Sequence, residues 1–232
     1  MHADIAWPCS LHPSTQASLL ALAKPFDCQR LTGSLPGVLY VSSGCLVTYA
    51  ANASISNSLG LIFGRGCWLG TQSIHNPAYA PSERYETLLP TELLLFPRAD
   101  IESLSEQEPE VFKFLFHIAQ QVVRISLQMG SNTLFCLTTR IVYVLLELVA
   151  KNTAANTPVP SLNITQQRLS QITGISRPRV NEVLKELART GEITIRRGEL
   201  NITDMAALKA RLHPFSLMYY DPVPHIQPPI SG

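Results

Sequence analysis

Two short helical patterns separated by a glycine constrain the fold of this chain more than any other feature of its sequence. The first pattern covers residues 166–173, and the second begins after Ser176 and runs through Leu187, with Gly174 between them. Glycine readily adopts the left-handed conformation that ends a helix and turns the chain. Two short helices joined by such a turn form a helix-turn-helix.

Helix-capping residues stand at the positions that this interpretation requires. Thr165 can accept a hydrogen bond from a free backbone N–H and so cap the first helix. Ile164 and Leu169 occupy the hydrophobic-staple positions around that cap. Ser176 is placed to cap the second helix, and Pro178 falls in its first turn, where a missing N–H costs little. These signals agree in order and spacing with two helices of the predicted lengths.

The second helix is predicted to have one apolar and one polar face. Its apolar residues recur at i, i+3, i+4 and i+7 and are Val180, Val183, Leu184 and Leu187. Its polar face is largely basic and carries Arg177, Pro178, Asn181, Glu182, Lys185 and Arg189, with Arg179 at the flank. An α-helix fits the major groove of DNA, where side chains of its first turns reach base edges. The pattern therefore predicts a helix that reads DNA.

A β-hairpin is predicted directly after the two helices. Ile193 and Ile195, then Leu200 and Ile202, alternate around the turn at 196–199. Such a hairpin would be the wing of a winged helix, with Arg196 and Arg197 at its tip. Basic residues at a wing tip can contact the phosphate backbone, which adds affinity but little sequence information.

The distribution of charge supports an acidic partner for this segment alone. Residues 161–212 contain nine Lys/Arg and five Asp/Glu, a net charge of +4, whereas the whole chain carries +1 and the remainder therefore −3. A basic segment on a slightly acidic body is typical of a domain that binds a polyanion.

Residues 35–98 are predicted to form a β-domain. Short apolar runs at 38–41, 45–50, 59–63 and 87–96 are separated by Gly, Asn, Ser and Pro. Strands at such regular spacing indicate a sandwich or barrel. Residues 152–163 are polar and contain proline, which indicates a linker, and the chain beyond Leu212 is a proline-rich tail.

A long helix is predicted to begin after Pro109. Its apolar residues follow alternating steps of four and three and are Val111, Leu115, Ile118, Val122, Ile125 and Met129. A second apolar stripe beside them consists of Phe112, Phe116, Ala119 and Val123. The heptad spacing of the first stripe predicts a dimer interface between twofold-related copies, although a core helix in a monomer would show the same spacing. A further helix is predicted at 138–151.

Several classes of protein are disfavoured by the sequence. The five cysteines are scattered and include no C-x-x-C pair, so no structural zinc or iron–sulfur site is expected. No apolar run approaches the ~18 residues of a membrane span, and the N-terminus lacks the layout of a secretory signal. We expect a cytoplasmic protein that does not bind membranes.

With these features in place, the chain resembles the cyclic-AMP receptor protein / fumarate–nitrate regulator (Crp/Fnr) superfamily of bacterial transcription factors. The resemblance covers about residues 35–211 and is most specific at 164–193 and at the wing, 197–202. Residues 139–149 resemble the helix that leads into the DNA-binding domain of the family. Weaker support comes from β-roll-like strands and glycine turns at 36–49 and 60–70.

The resemblance implies an α+β fold with three parts and a tail. A cupin-like β-roll sensor domain is expected at 1–108, a dimerisation helix with its following helix at 109–151, a winged helix-turn-helix at 160–212 and the tail at 213–232. It further implies a homodimer that is not an enzyme, binds a pseudo-palindromic site in double-stranded DNA and acts on RNA polymerase. A small-molecule effector in the roll is common in the family, and its identity here is open.

The candidate DNA contacts fall into two groups. Arg177 matches the family and is expected to contact guanine, whereas Pro178 and Glu182 stand where many relatives place a glutamate and an arginine. The predicted base contacts are therefore Arg177, Pro178, Asn181 and Glu182. The predicted backbone contacts are Thr165, Gln166, Ser176, Arg179, Lys185, Arg196 and Arg197. Because two base readers differ, we expect a half-site unlike that of the family's founding member.

The segment matching the family's cyclic-nucleotide site also departs from its pattern. Residues 66–82 contain no Asp, Glu, Lys or Arg, and a buried phosphate without a cation is energetically implausible. We therefore expect no control by a cyclic nucleotide and no cofactor. The alternative is a cupin-like metal- or haem-binding sensor or enzyme, with His75 as a nominal ligand and the winged helix as a protein-interaction module. Residues 31–82 contain no Asp or Glu, which disfavours that alternative.

Overall fold

The computed structural model describes residues 5–31, 33–50, 59–75, 83–151, 160–196, 199–212, 217 and 219–226 of the 232-residue chain. The fold is a mixture of helices and antiparallel sheets. The chain divides into two compact units. Unit 1 comprises Met1–Ala51 and Phe63–Arg124, and unit 2 comprises Asn52–Ile62 and Ile125–Gly232.

The described residues between 5 and 132 form seven strands and the first three α-helices. The strands are β1 (Lys24–Phe26), β2 (Gly37–Ser43), β3 (Cys45–Ala50), β4 (Gly60–Gly64), β5 (Trp68–Leu69), β6 (Glu83–Thr87) and β7 (Glu92–Pro97). The helices are α1 (Pro13–Leu22), α2 (Arg98–Gln107) and α3 (Glu110–Asn132). The strands form one sheet in the order β1-β7-β2-β5 and another in the order β4-β3-β6.

The predicted run at 87–96 is not one strand. Strand β6 ends at Thr87 and β7 begins at Glu92, with Pro90 in the turn between them. Proline lacks the N–H that a ladder needs, so it separates two strands where the apolar run alone indicated one. Strand β7 pairs with β2 in antiparallel register, with Phe96 opposite Val38.

The core of unit 1 is built around Trp68. Its ring centroid lies 4.6 Å from that of Tyr40, 5.1 Å from that of Phe96 and 5.0 Å from that of Phe114. The indole N–H donates to the Ala6 carbonyl at 2.8 Å, and the Trp68 backbone N–H donates to Gln121 Oε1 at 3.0 Å. A buried indole is stable only when its N–H has such an acceptor. Trp68 thus ties the N-terminal segment and α3 to the sheet.

Five of the six α3 residues predicted to form the dimer seam face the interior of the chain. Those five are buried within the single chain, and only Val122 is partly exposed; they are Val111, Leu115, Ile118, Ile125 and Met129. The first three belong to the core of unit 1. Side chains already covered by their own protomer cannot form the face that a partner covers.

A neighbouring stripe of α3 is the exposed one. Its large apolar side chains are exposed by 45% to 59%: Phe112 by 50%, Phe116 by 59%, Val123 by 54% and Leu127 by 45%. Both stripes are apolar and share the same helical spacing, so spacing alone could not decide which one faces the core.

Unit 2 contains the remaining elements, with the final turns of α3. They are α4 (Leu137–Lys151), β8 (Ser161–Asn163), α5 (Gln166–Thr173), α6 (Arg177–Arg189), β9 (Ile193–Arg196), β10 (Glu199–Ile202) and α7 (Met205–Ala210). The strands form a sheet in the order β8-β10-β9. Helix α4 is the centre of this unit and packs against α5, α6 and α7.

Helix α4 carries a buried carboxyl group. Glu147 is only 1% exposed, and its Oε2 atom makes no hydrogen bond among the described residues. Burial raises the pKa of Glu147 to about 7, and the charge of Lys151 opposes that rise.

The C-terminal tail lies against unit 2 where it is described. The backbone N–H groups of Tyr219 and Tyr220 donate to Gln128 Oε1 at 3.0 and 3.2 Å. The Lys151 ammonium lies 5.0 Å from the centroid of the Tyr220 ring, within cation–π distance. Farther along, Pro222 and Ile226 are buried.

Among the described residues, no helix has both the length and the apolarity needed to cross a bilayer. The five cysteines, all within the described residues, form no disulfide; Cys45 and Cys67 are buried, whereas Cys136 is exposed before α4.

Candidate nucleic-acid interface

The helix-turn-helix is formed by α5 and α6. The Thr165 hydroxyl accepts a hydrogen bond from the Arg168 backbone N–H at 3.2 Å, as its predicted capping role requires. Gly174 has φ 67°, in the left-handed region that favours glycine. Ser176 occupies the N-cap of α6 but makes no side-chain capping bond. Its hydroxyl thus remains at the surface next to the first turn of α6.

The two faces of α6 differ as the sequence predicts. The apolar face is buried at Val180, Val183, Leu184 and Leu187. The residues exposed on the opposite face include Arg177, Pro178, Arg179, Glu182 and Lys185, and Asn181 is half-buried beside them. The first two turns of α6 therefore present a short, mainly basic surface.

A hydrogen bond from α4 helps to fix α5. The Arg140 guanidinium donates to the Thr173 carbonyl at 2.6 Å. A cation near the last carbonyls of a helix also interacts favourably with the helix dipole. Partial burial lowers the pKa of Arg140.

The wing consists of β9 and β10, with β8 as the third strand of its sheet. Ile193 lies opposite Ile202, and Arg196 lies opposite Glu199 across the hairpin. Arg196 is exposed near the tip, whereas Arg197 lies outside the described residues. The described part of the wing thus offers one exposed arginine for a phosphate contact.

Two further arginines of the basic segment are bound by carboxylates of the same unit. Arg189 forms a bidentate pair with Glu186, at 2.9 and 2.7 Å, on the exposed surface. Arg211 Nε donates to Glu192 Oε2 at 2.6 Å and Arg211 Nη2 donates to Glu192 Oε1. These hydrogen bonds lower the pKa of both carboxyl groups. The count of basic residues in the sequence therefore overstates the positive charge available to a ligand.

Other polar contacts lie on the candidate interface itself. Gln166 Nε2 donates to Asn181 Oδ1 at 3.1 Å and so joins the first residue of α5 to α6. Arg179 and Glu182 form an exposed ion pair at 3.7 Å. The Gln166–Asn181 contact was not predicted from the sequence, because it depends on how α5 and α6 meet in the folded domain, whereas Arg179 and Glu182 are neighbours by helical spacing.

A cleft of about 480 Å³ lies between the start of α5, the helix α6 and the wing. Apolar and polar side chains line it together, namely Ile164, Thr165, Gln166, Gln167, Arg177, Leu184, Ile195, Glu199 and Leu200. Arg177 and Gln166 therefore share one concave surface, although they were predicted to contact bases and backbone, respectively.

His75 is held by protein groups in unit 1. Its φ is 55°, its Nε2 lies 2.9 Å from Ser105 Oγ, and its ring stacks on Phe112 with centroids 5.6 Å apart. In the part of the chain that is described, no three His, Cys, Asp or Glu side chains come together as a metal site. No observation in the described part of unit 1 therefore favours a metal or haem centre at His75.

Residues 139–211 match the sequence model of a protein family, the Crp-like helix-turn-helix domain. The match contains α5, α6 and the described part of the wing, and it begins within α4. Among curated protein sequences, none matches this chain.

Solved structures resemble the chain over most of its length. One is described as a transcriptional regulator of the Crp/Fnr family from Eubacterium rectale, with 16% identity, a TM-score of 0.68 and coverage of 88% of this chain and 95% of that one. A Crp/Fnr-family transcriptional regulator from Thermus thermophilus has 22% identity, a TM-score of 0.66 and coverage of 82% and 98%. The c-di-GMP-responsive global regulator CLP of Xanthomonas campestris has 22% identity, a TM-score of 0.64 and coverage of 82% and 99%.

These comparisons confirm the resemblance predicted from the sequence. Residues 139–211 match a Crp-like helix-turn-helix domain, and the chain shares the α+β fold of the solved Crp/Fnr-family structures.

Proposed function

We propose that this Crp/Fnr-type protein is a sequence-specific, DNA-binding transcription regulator that acts in the cytoplasm as a homodimer and is not an enzyme. The observation that carries the proposal is the exposed first turns of α6. Arg177 and Arg179 stand there over a buried apolar face, with Lys185 one turn farther along, within the domain that matches the Crp-like family. A helix with this arrangement suits the major groove, with its N-terminal residues at the base edges.

The apolar stripe on α3 supports the homodimer. Phe112, Phe116 and Val123 are each at least half exposed. Large apolar side chains aligned along one helix favour burial against a partner, and a twofold interface buries the same stripe from both copies. A dimer would present two copies of α6 to a pseudo-palindromic site, which is how helix-turn-helix proteins match their operators. Contact with RNA polymerase would then follow from binding near a promoter.

The composition of residues 66–82 supports regulation by something other than a cyclic nucleotide. Residues 66–82 contain no cation, and the side chains of Cys67, Trp68 and Leu69 are buried. A cyclic nucleotide or cyclic dinucleotide brings phosphate charge that needs a cation or several N–H donors. The c-di-GMP response of the Xanthomonas protein therefore does not carry over to this chain in our proposal. Any effector is a different small molecule.

Binding-site selection from random duplexes with the full-length protein tests the function. We expect an enriched motif with twofold symmetry, and affinity that falls steeply as salt rises, because phosphate contacts release counterions. Added cyclic AMP or c-di-GMP should leave the affinity unchanged. Failure to enrich any duplex would reject DNA binding and favour a protein-interaction role for the winged helix. An affinity for DNA that rises with either nucleotide would refute the proposal that cyclic nucleotides do not control this protein.

A further inference from the structure

We propose that Gln166 is a specificity-determining positioning residue, which holds the Asn181 side chain so that α6 offers a hydrogen-bond donor to one base of the half-site. This inference rests on the proposed DNA-binding function and extends it to the chemistry of one base pair. It also revises the expectation that Gln166 contacts the DNA backbone.

The two residues meet across the helix-turn-helix. Gln166 is the first residue of α5, and Asn181 lies in the second turn of α6, 15 positions later. Gln166 Nε2 donates to Asn181 Oδ1 at 3.1 Å, and both residues are half-buried. Partial burial disfavours rotation of either amide away from its partner, because the hydrogen bond would be lost with incomplete compensation by water.

The bond determines what Asn181 can offer to a ligand. A primary amide has an oxygen that accepts and a nitrogen that donates two hydrogens. With Oδ1 occupied by Gln166, the Nδ2 hydrogens make no further hydrogen bond among the described residues. The bond uses one of the two lone pairs of Oδ1, so Asn181 is held with Nδ2 free to donate to a base, and a two-way contact with adenine stays possible.

A donor at this position selects among the four bases. Guanine N7 and O6, adenine N7 and thymine O4 are acceptors in the major groove, whereas cytosine presents the N4 amine, a donor. We therefore infer that the base beneath Asn181 is not cytosine. Glu182, the next residue along α6, has the opposite character and can accept from cytosine. Its exposed pairing with Arg179 at 3.7 Å is too weak to prevent that exchange.

Gln166 is left poorly suited to bind phosphate. One of its two Nε2 hydrogens is used by Asn181, and its remaining oxygen would repel a phosphate oxygen. Gln167, the next residue, is exposed and makes no hydrogen bond through its side chain among the described residues. It is therefore the matched control for a change that removes a glutamine amide from the start of α5.

Binding-site selection followed by competition assays on the full-length protein tests the inference. In Gln166→Ala, discrimination at one base pair of each half-site should fall on the order of 3- to 10-fold, the effect of one lost hydrogen bond. The other positions and the salt dependence should not change. Asn181→Ala should lose discrimination at the same base pair, and the double variant should be no worse there. Gln167→Ala should keep the wild-type preference.

A reversal of preference gives the sharper readout. In Gln166→Glu the carboxylate cannot donate, so it should accept from Asn181 Nδ2 and turn the amide, which then offers its oxygen to the DNA. We expect that variant to favour a base with an exposed amine, cytosine or adenine, at the affected position. If Gln166 only stabilised the fold, Gln166→Glu would lower the affinity for all duplexes without changing the preferred base.

Several outcomes would overturn the inference. Gln166→Ala could weaken binding to all duplexes alike and flatten the salt dependence, which would identify Gln166 as a phosphate contact. An unchanged profile in Gln166→Ala, or wild-type selection of cytosine at the position that Asn181→Ala affects, would also refute it. These results require that the wild-type protein enriches an operator. If it enriches none, the proposed function and this inference fail together.

Discussion

The Arg211 guanidinium and the Glu192 carboxylate form a bidentate ion pair that joins the residue after α7 to the turn after α6. The Glu192 side chain is 6% exposed, and its Oε1 also accepts a hydrogen bond from the Thr190 hydroxyl at 2.7 Å. The Glu192 carbonyl accepts from the backbone N–H groups of Thr203 and Asp204 as well. One residue therefore connects the end of α6, the end of the wing and α7.

Removing Arg211 should destabilise the winged helix. Arg211→Met leaves the Glu192 carboxylate buried without its cation, which we expect to lower the free energy of unfolding by about 1–3 kcal/mol. Chemical denaturation followed by circular dichroism measures the change. Arg189→Met breaks the exposed pair with Glu186 and serves as the control, with no measurable change expected. Equal effects of the two substitutions would contradict the role of burial.

The stability of unit 2 should depend on pH through Glu147. Its pKa is raised from 4.5 to about 7 by burial, so the folded state retains a proton that the unfolded state loses. The stabilisation from neutral Glu147 is complete below pH 4.5 and is lost as pH rises through 7. The shift corresponds to roughly 3 kcal/mol. Thermal melts of Glu147→Gln should lack this loss between pH 5 and 8, and a wild-type protein with no such loss would show that the carboxylate is compensated when charged.

The exposed stripe of α3 should control association. Phe116→Glu places a charge where an apolar dimer interface is proposed, so we expect a folded monomer in sedimentation velocity. Gln120→Glu adds the same charge at an exposed polar position of the same helix and should remain dimeric. Ile118→Glu should instead unfold unit 1, because Ile118 is fully buried in its core. A Phe116→Glu protein that stays dimeric would place the interface elsewhere.

Two arginines should have different effects on DNA binding. Arg177→Ala, in the first turn of α6, should weaken the free energy of DNA binding by about 1–3 kcal/mol and reduce the base preference at one base pair. Arg196→Ala, near the wing tip, should weaken binding to all sequences and reduce the salt slope by about 1. Fluorescence anisotropy with specific and scrambled duplexes at several salt concentrations separates the two effects. Identical behaviour would mean that one of these arginines was assigned to the wrong group.

The C-terminal tail should stabilise unit 2. A chain ending at Leu212 loses the hydrogen bonds of Tyr219 and Tyr220 to Gln128 and the packing of Val223–His225 against α4. We expect a lower melting temperature, and Gln128→Ala should reproduce part of the loss, because two backbone N–H groups lose their acceptor. A truncated chain that melts like the full-length protein would show that the tail contributes nothing to stability.

The winged helix could be predicted from sequence because its signals are local. Thr165 and Gly174 act through backbone conformation within a few residues, so a cap and a turn glycine identify helix ends without knowledge of the rest of the fold. The buried stripe of α6 likewise follows from helical periodicity alone. Element boundaries in this region therefore agree closely with the predicted ones.

The features that could not be predicted depend on contacts between distant segments. On α3, two apolar stripes have equivalent spacing, and only the packing of Val111 and Ile118 into the core of unit 1 identifies the free one. The Gln166–Asn181 bond and the Glu192–Arg211 pair join residues 15 and 19 positions apart, at spacings that no helical or strand period specifies. Helices α1 and α2 were not predicted from the sequence. Each is only ten residues long, which is too short for apolar residues to repeat over several helical turns.

The pairing of Arg189 and Arg211 with carboxylates also bears on how the protein would respond to its surroundings. Neutralised arginines displace few cations from DNA, so fewer ions are released on binding than nine basic residues would suggest. If the protein binds DNA as proposed, the salt dependence of its affinity would therefore report the arginines without carboxylate partners rather than the full basic count.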